Sequence, residues 1–196
     1  MIKTIEPPRS AIQAAEGKMA ELIGGQTHGH LNEMSREDLD NTHVTLPHNV
    51  YDLRLDSLIA GEATMPTEPV ALHLLVGHGD NLSSAMQLDP HATRVIGYQY
   101  STDVVHATSR AIAAAEALPE AKAGEYELRM LRIPALNVSA VWLKDQKGKE
   151  DRLVPVAPTD PGFVAHQAYT VDEFLKIARQ RASFLYGAKD SSEMGG

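Results

Sequence analysis

The sequence has 196 residues, of which 43% are hydrophobic and 22% are charged, so we expect a globular chain with its own core rather than a disordered one. It carries 26 acidic and 18 basic side chains, and a net charge of −8 repels phosphate backbones, which argues against nucleic-acid binding through bulk charge. It has no cysteine, which excludes disulfides, thiolate catalysis and iron–sulfur clusters.

The first predicted element is a helix that begins at Pro8 or Ser10 and ends at Ile23. Apolar residues recur within it at helical spacing and form one stripe along the helix. Prolines precede the segment, and Gly24–Gly25 provides a typical helix end. The helix is therefore delimited at both ends by sequence signals.

The next region has a weaker pattern. Residues 26–32, QTHGHLN, are expected to form a loop, and Ser35 can cap a short helix over residues 36–40. Apolar and charged residues alternate over 51–56 with the period of a strand. The apolar residues of 55–59 also allow a helix, so both alternatives stay open here.

Two strands and a helix are predicted between residues 70 and 119. Residues 70–76, VALHLLV, are apolar on both faces and are expected to form an interior strand that Gly77–Asn81 ends. A second strand is expected over 94–100. Residues 101–103 offer N-cap side chains to the alanine-rich helix that follows, and Pro119 marks the end of that helix.

The clearest β region is 125–157. Two strands separated at Pro134 precede the charged turn 145–151, and a return strand follows it, so a hairpin is expected around this turn. Trp142 is expected to anchor the core, with an exposed position in a partner interface as the alternative. Pro155 lies inside the return strand and is therefore expected at a sheet edge or a bulge.

The last predicted element is a helix that begins near Thr170. Thr170 and Glu173 have the spacing of a capping box, and Gly187 stands where a glycine commonly follows a helix. The polar tail 188–196 is expected to be disordered. Because strands and helices do not alternate strictly, we predict one α+β domain over 1–187, a mostly antiparallel sheet with about three main helices packed on it.

The nine histidines of the chain include one candidate metal site. His28 and His30 lie in THGH, where alternate side chains of an extended loop point the same way. His78 and Asp80 have the same spacing after the strand over 70–76, and sites often lie where a strand ends in a glycine-containing loop. If the two loops meet, the four side chains form a nitrogen and oxygen site for a divalent transition metal such as zinc, manganese or iron.

These features also have structural interpretations. Two such pairs arise easily by chance among nine histidines, and the chain has no HExxH motif. Gly77 and Gly79 follow a strand as in a nucleotide-binding loop, but Leu82 stands in the place of the third glycine, so a tight turn is favoured. No G-x-S-x-G motif signals a serine nucleophile.

Two functions of different class follow from the sequence. The first is a non-enzymatic interaction, structural or assembly protein that has a protein partner or self-associates and needs no cofactor. The alternative is a metal-dependent hydrolase or related small-molecule enzyme at the four candidate residues. No membrane partner is expected, because the longest apolar run, 70–76, is too short to span a bilayer and the first residues lack the apolar core of a secretory signal. The cytoplasm is the expected location.

Overall fold

The computed structural model of the chain has the α+β fold that the sequence predicts. Among the residues that it describes, nine strands pair mostly antiparallel and five helices occur, three of them with 16 residues each. None of these helices is long and apolar enough to cross a membrane. The structure describes residues 1–24, 42–78, 81–99, 102–148 and 150–186, without the side chains of residues 22–24, 42, 78, 81, 83 and 102.

The elements are numbered in chain order. The helices are α1 (Arg9–Gly24), α2 (Leu55–Ile59), α3 (Thr102–Ala117), α4 (Pro119–Ala123) and α5 (Val171–Tyr186). The strands are β1 (Ile2–Lys3), β2 (Thr42–Asp52), β3 (Ala71–His78), β4 (Asn81–Leu88), β5 (Val95–Gln99), β6 (Tyr126–Ile133), β7 (Val138–Asp145), β8 (Arg152–Pro155) and β9 (Tyr169–Thr170).

The described residues form two compact units. Unit 1 comprises Met1–Lys3, Val50–Pro69 and the described part of Ala107–Gly196. Unit 2 comprises the described parts of Thr4–Asn49 and Val70–His106. The proposal of one domain over 1–187 stays a prediction, and the tail 188–196 lies outside the described residues.

Unit 1 is built on the antiparallel strands β6, β7 and β8. Strand β6 pairs with β7 from Tyr126 opposite Asp145 to Ile133 opposite Val138, and β8 pairs with the other edge of β7. The predicted hairpin is therefore confirmed. Strand β9 pairs with β8, and β1 runs parallel to β6. Pro155 is the last residue of β8, beyond the two residues that pair with β9, as expected for proline at a sheet edge.

Helix α5 and Trp142 supply large aromatic side chains to the core of unit 1. The predicted capping box starts α5, because the Glu173 N–H donates to the Thr170 hydroxyl oxygen at 3.2 Å and the Thr170 N–H donates to the Glu173 carboxylate at 2.9 Å. Phe174 is fully buried, and Trp142 is 2% exposed, so Trp142 is a core residue and the alternative of an exposed interface residue is wrong. The same cluster contains Tyr51, Leu131, Ile133, Phe163, Tyr169, Leu175 and Ala178.

Two buried carboxylates of unit 1 are paired with cations or N–H groups. The Arg181 guanidinium donates to the two oxygens of Asp160 at 2.6 and 3.1 Å. Asp151 accepts from the Trp142 indole N–H at 2.9 Å and from the Lys144 ammonium at 3.2 Å. These charge-assisted contacts offset the free-energy cost of removing both carboxylates from water.

Unit 2 is built on β3, β4 and β5 with α1 against one face. Strand β3 pairs antiparallel with β4, and β4 pairs antiparallel with β5. Residues 42–49 of β2 are the next neighbour of β3 in the strand order. Leu74, Met86 and Tyr98 lie in one row across three strands and pack in a cluster with Ala15 of α1. The predicted apolar stripe of the first helix is thus the face that contacts the sheet.

The structure settles the open alternative around residues 51–59. Strand β2 begins at Thr42 and ends at Asp52, and α2 begins at Leu55. Leu58 is only 1% exposed, so burial of this side chain favours the helix over a continued strand. The predicted loop 26–32 and short helix 36–40 lie outside the described residues.

Two other boundaries differ from the expectation. Strand β3 does not end at Gly77 but continues to His78, and β4 follows from Asn81, where the sequence analysis predicted no strand. Ser84 interrupts the apolar face of β4, which hides its period of two. Pro119 follows the end of α3 as expected, but it also begins α4, because proline at the first helical position has no N–H to satisfy.

Candidate functional site

The residues predicted to bind a metal fall largely outside the described part of the chain. His28, His30 and Asp80 are not described, nor is Gly79 of the glycine turn. His78 is the last residue of β3, but its side chain is not described. Among the described residues, no group of three or more histidine, aspartate or glutamate side chains could hold a metal ion. The four-residue metal site therefore stays a prediction.

Two histidines that the sequence analysis did not select form a hydrogen-bonded pair in unit 2. His48 lies on β2, and His73 lies on β3. The Nδ1 of His48 is 2.6 Å from the carbonyl oxygen of Leu46, and its Nε2 is 3.1 Å from the Nδ1 of His73. The two rings are nearly perpendicular, at 89°, with centroids 5.0 Å apart. A continuous chain of hydrogen bonds therefore connects a backbone carbonyl to the second imidazole.

Burial determines the protonation of the first imidazole. His48 is 0% exposed, and burial lowers the pKa of His48 to about 4, against the smaller opposing effect of its hydrogen bond to Leu46. His48 is therefore neutral at neutral pH. Because a carbonyl oxygen only accepts, the proton of His48 is on Nδ1, and its Nε2 accepts from the Nδ1–H of His73. In neutral His73 the basic nitrogen is then Nε2.

The backbone that holds His48 is strained. Leu46, two residues before His48 and next to Pro47, has a φ of 48°. A residue with a side chain adopts this left-handed conformation at a cost of about 1–2 kcal/mol. Such strain persists only where the surrounding structure imposes it, and it is concentrated at functional sites. The strained residue is also the one whose carbonyl fixes the His48 ring.

His73 lines a pocket of about 330 Å³ over the strands β3, β4 and β5. Gln87 of β4 is opposite His73, and Gly97 of β5 is opposite Gln87, so the three residues form one row across the sheet. This row lies on the face opposite to the one that packs on α1, because neighbouring residues of a strand point to opposite faces. The pocket is lined by His73, Ala85, Gln87, Gly97, Tyr98 and Gln99.

The composition of this pocket suits a small polar molecule. Gly97 and Ala85 have little or no side chain, which leaves the space above the sheet open. Gln87 and Gln99 each carry both a hydrogen-bond donor and an acceptor. An imidazole whose Nδ1–H is held by a fixed acceptor has the orientation of a general base. Proton transfer is a chemistry that this arrangement of His48 and His73 supports.

One feature of the sequence indicates this pair, although the spacing of the histidines along the chain does not. His73 interrupts the apolar run 70–76, and a titratable side chain inside a buried strand needs a hydrogen-bonding partner. Its partner His48 is 25 positions away and follows a proline in a polar stretch, so no periodicity connects the two. Only the pairing of strands brings them together.

Comparisons with known proteins add no assignment. No protein-family model, no curated protein and no solved structure matches this chain.

Proposed function

We propose that this protein is a small-molecule enzyme in which His73 acts as a general base on a polar substrate. The observation that carries the proposal is the hydrogen-bond chain from the Leu46 carbonyl through neutral His48 to His73, which lines the pocket. His48 is a positioning residue, since it accepts from His73 and fixes its tautomer. A buried, neutral partner and an adjacent cavity are the combination expected of a catalytic histidine.

The step assigned to His73 is the removal of a proton from water or from a substrate hydroxyl. On an ester, the water oxygen forms a bond to the acyl carbon while His73 Nε2 takes the proton. The carbon–oxygen bond to the leaving alcohol then breaks, and the imidazolium returns the proton to the leaving oxygen. Gln99, which also lines the pocket, is a side chain that would orient the substrate by hydrogen bonds.

The test is hydrolysis of a simple activated ester, p-nitrophenyl acetate. His73→Gln is expected to lower the rate at least about tenfold, since a positioned base commonly contributes about a hundredfold or more. His106→Gln is the matched control, because His106 is an exposed histidine on α3 and is expected to leave the rate unchanged. Equal rates in the wild-type protein and His73→Gln would contradict the proposal, as would an equal loss in His106→Gln.

An interaction or assembly role is the second proposal, and one surface observation favours it. Phe184 is 71% exposed and Leu185 is 40% exposed, both near the end of α5. A large apolar side chain that is mostly exposed, such as Phe184, is a candidate contact of an association surface. In this proposal the protein self-associates in the cytoplasm and, because of its net charge of −8, does not bind nucleic acid. Sedimentation velocity should then show an oligomer that Phe184→Ser dissociates, whereas a monomer at all concentrations would contradict it.

The metal-dependent alternative at His28, His30, His78 and Asp80 has its own test. Native mass spectrometry of protein purified without chelator should show one bound transition metal, which His28→Gln and His78→Gln each remove. A metal-free mass, with ester hydrolysis retained, would exclude this alternative and leave the proposal for His73 intact.

A further inference from the structure

We propose that a second cavity of unit 2, between α1 and the sheet, binds a small apolar molecule that carries a protonated amine. The cavity has a volume of about 450 Å³. This volume lies in the range of pockets that hold small ligands. The cavity lies on the α1 side of the sheet. Met86 and Val76 line it, and both belong to the face of the sheet that packs on α1.

The walls of this cavity are apolar and adaptable. Ala15 and Met19 of α1 line it from one side, and Val76 and Met86 line it from the sheet. All four residues are at most 6% exposed. Ala15 leaves space because it has only a methyl group, and the flexible thioether side chains of the two methionines can adjust to ligands of different shape. An aromatic ring or a short alkyl group fits such walls, with contacts between methionine sulfur and a ring as a further contribution.

The charge of the ligand follows from the polar residues at the same cavity. Glu16 and His43 are the ionisable side chains among the described residues that line it. Both side chains belong to exposed residues, so they lie where a ligand would meet solvent. The neighbouring Lys18 is held by Glu21 at 2.9 Å and does not line the cavity. A carboxylate at the rim of an apolar cavity attracts an ammonium group and repels a carboxylate.

This inference is independent of the function proposed for His73. The His73 pocket and the α1 cavity lie on opposite faces of β3 and β4, because the residues that line them alternate along the strands. A substitution that abolishes one site therefore leaves the side chains that line the other site in place.

The experiment uses three ligands of the same shape: phenethylamine, phenethyl alcohol and hydrocinnamate. Binding is followed through the ¹³C-methyl resonances of methionine. Met19 and Met86 report on the cavity, and Met65 and Met130, which belong to unit 1, serve as internal controls. At low ionic strength we expect saturable shifts at Met19 and Met86 and none at Met65 and Met130. Phenethylamine should bind about threefold more tightly than phenethyl alcohol, because an exposed ion pair contributes a gain of this size. It should bind about tenfold more tightly than hydrocinnamate, which Glu16 repels.

Two variants separate the cavity from the charge. The Glu16→Gln variant should still bind the ligands, and phenethylamine and phenethyl alcohol should bind to it with equal affinity. Ala20→Phe should block all three ligands, because Ala20 is an exposed residue at the cavity where a large side chain fits without disturbing the core. No shift at Met19 and Met86 with any ligand would overturn the site. Equal or tighter binding of hydrocinnamate than of phenethylamine would overturn the assignment of an amine.

Discussion

The two units of the molecule fill their interiors in different ways. The core of unit 1 contains Trp142, Phe174, Phe163 and Tyr169, and the rings of Phe163 and Phe174 lie 4.6 Å apart. The buried apolar residues described in the core cluster of unit 2 are instead alanine, valine, leucine and methionine. Large rigid rings fill space with few side chains, whereas alanine fills little volume and flexible methionine can adapt its shape to what it contacts. Both cavities argued above as ligand sites belong to unit 2.

The units also differ in how they bury polar groups. In unit 1 the carboxylates of Asp160 and Asp151 are neutralised by Arg181 and Lys144. In unit 2 His48 is buried without a charged partner in its hydrogen bonds and is therefore neutral. An ion pair compensates the cost of burying its charges, but a buried neutral histidine opposes protonation. Unit 1 therefore pairs its buried carboxylates with cations, whereas unit 2 bears the cost of a buried imidazole at the place where we propose function.

The largest expected effect on the free energy of unfolding comes from removing an aromatic ring from the core of unit 1. Phe174→Ala is expected to lower the free energy of unfolding by about 3–5 kcal/mol, because the buried ring leaves a cavity. Phe184→Ala on the same helix is the matched control, since Phe184 is 71% exposed. Its only described ring contact is with Arg181, and its loss should cost less than about 1 kcal/mol. Urea denaturation measures both, and equal effects would contradict the assignment of the core.

A smaller effect concerns the pH dependence of unit 2. The pKa of His48 is about 4 in the folded protein, below its ordinary value of 6.5, so the unfolded chain binds more protons between these values. The free energy of unfolding should therefore fall as the pH is lowered from about 6.5 to about 4, by up to about 3 kcal/mol. Urea titrations monitored at the methyl groups of Met86 and Met130 report on the two units separately.

The control for the pH effect is a histidine elsewhere in the chain. His48→Gln should remove most of the dependence in this window, because glutamine does not titrate. His106→Gln is the matched substitution at an exposed position outside the His48–His73 pair and should retain the dependence. A steep loss of stability over the same window in His48→Gln would show that another group is responsible.

A still smaller effect is expected at the start of α5. Thr170→Ala removes the hydroxyl oxygen that accepts the N–H of Glu173 and is expected to lower the free energy of unfolding by about 1 kcal/mol. Thr170→Ser keeps the hydroxyl and serves as the control. The result should appear in thermal unfolding of unit 1, and no difference between the two variants would show that the capping box contributes nothing measurable.

The smallest effect on stability is expected at the His73 pocket. A Cβ on Gly97 would lie 3.5 Å from the Cβ of Gln87, an ordinary contact, so Gly97→Ala should change the free energy of unfolding by no more than about 1 kcal/mol. The added methyl group narrows the pocket that His73 lines, so ester hydrolysis should fall although the protein stays folded. Unchanged hydrolysis in this variant would place the reaction elsewhere.

Much of the fold was predictable because its signals are local. The apolar stripe of α1, the Thr170–Glu173 capping box and the charged turn between β7 and β8 each depend on a few neighbouring residues. Strand β4 was missed because Ser84, which is buried, stands in its apolar row. Strand β2 was largely missed because Pro47 lies inside it and proline usually argues against a strand.

The candidate site was not predictable in the same way. The pairing of His48 with His73 depends on which strands become neighbours, and the spacing of residues along the chain does not contain that information. The strained φ of Leu46 is likewise set by tertiary structure, since leucine has no preference for that conformation. The sequence indicated that His73 was unusual in an apolar strand, but it did not identify the group that His73 contacts.

The most direct test of this account is the protonation state of the two imidazoles, measured by long-range ¹H–¹⁵N correlation spectra. At about pH 5.5, between the lowered and the ordinary pKa of His48, the account predicts a neutral His48 with its proton on Nδ1. His73 should also carry a proton on Nδ1, which it donates to His48. A His48 that is charged at this pH, or that carries its proton on Nε2, would contradict the hydrogen-bond chain and with it the role proposed for His73.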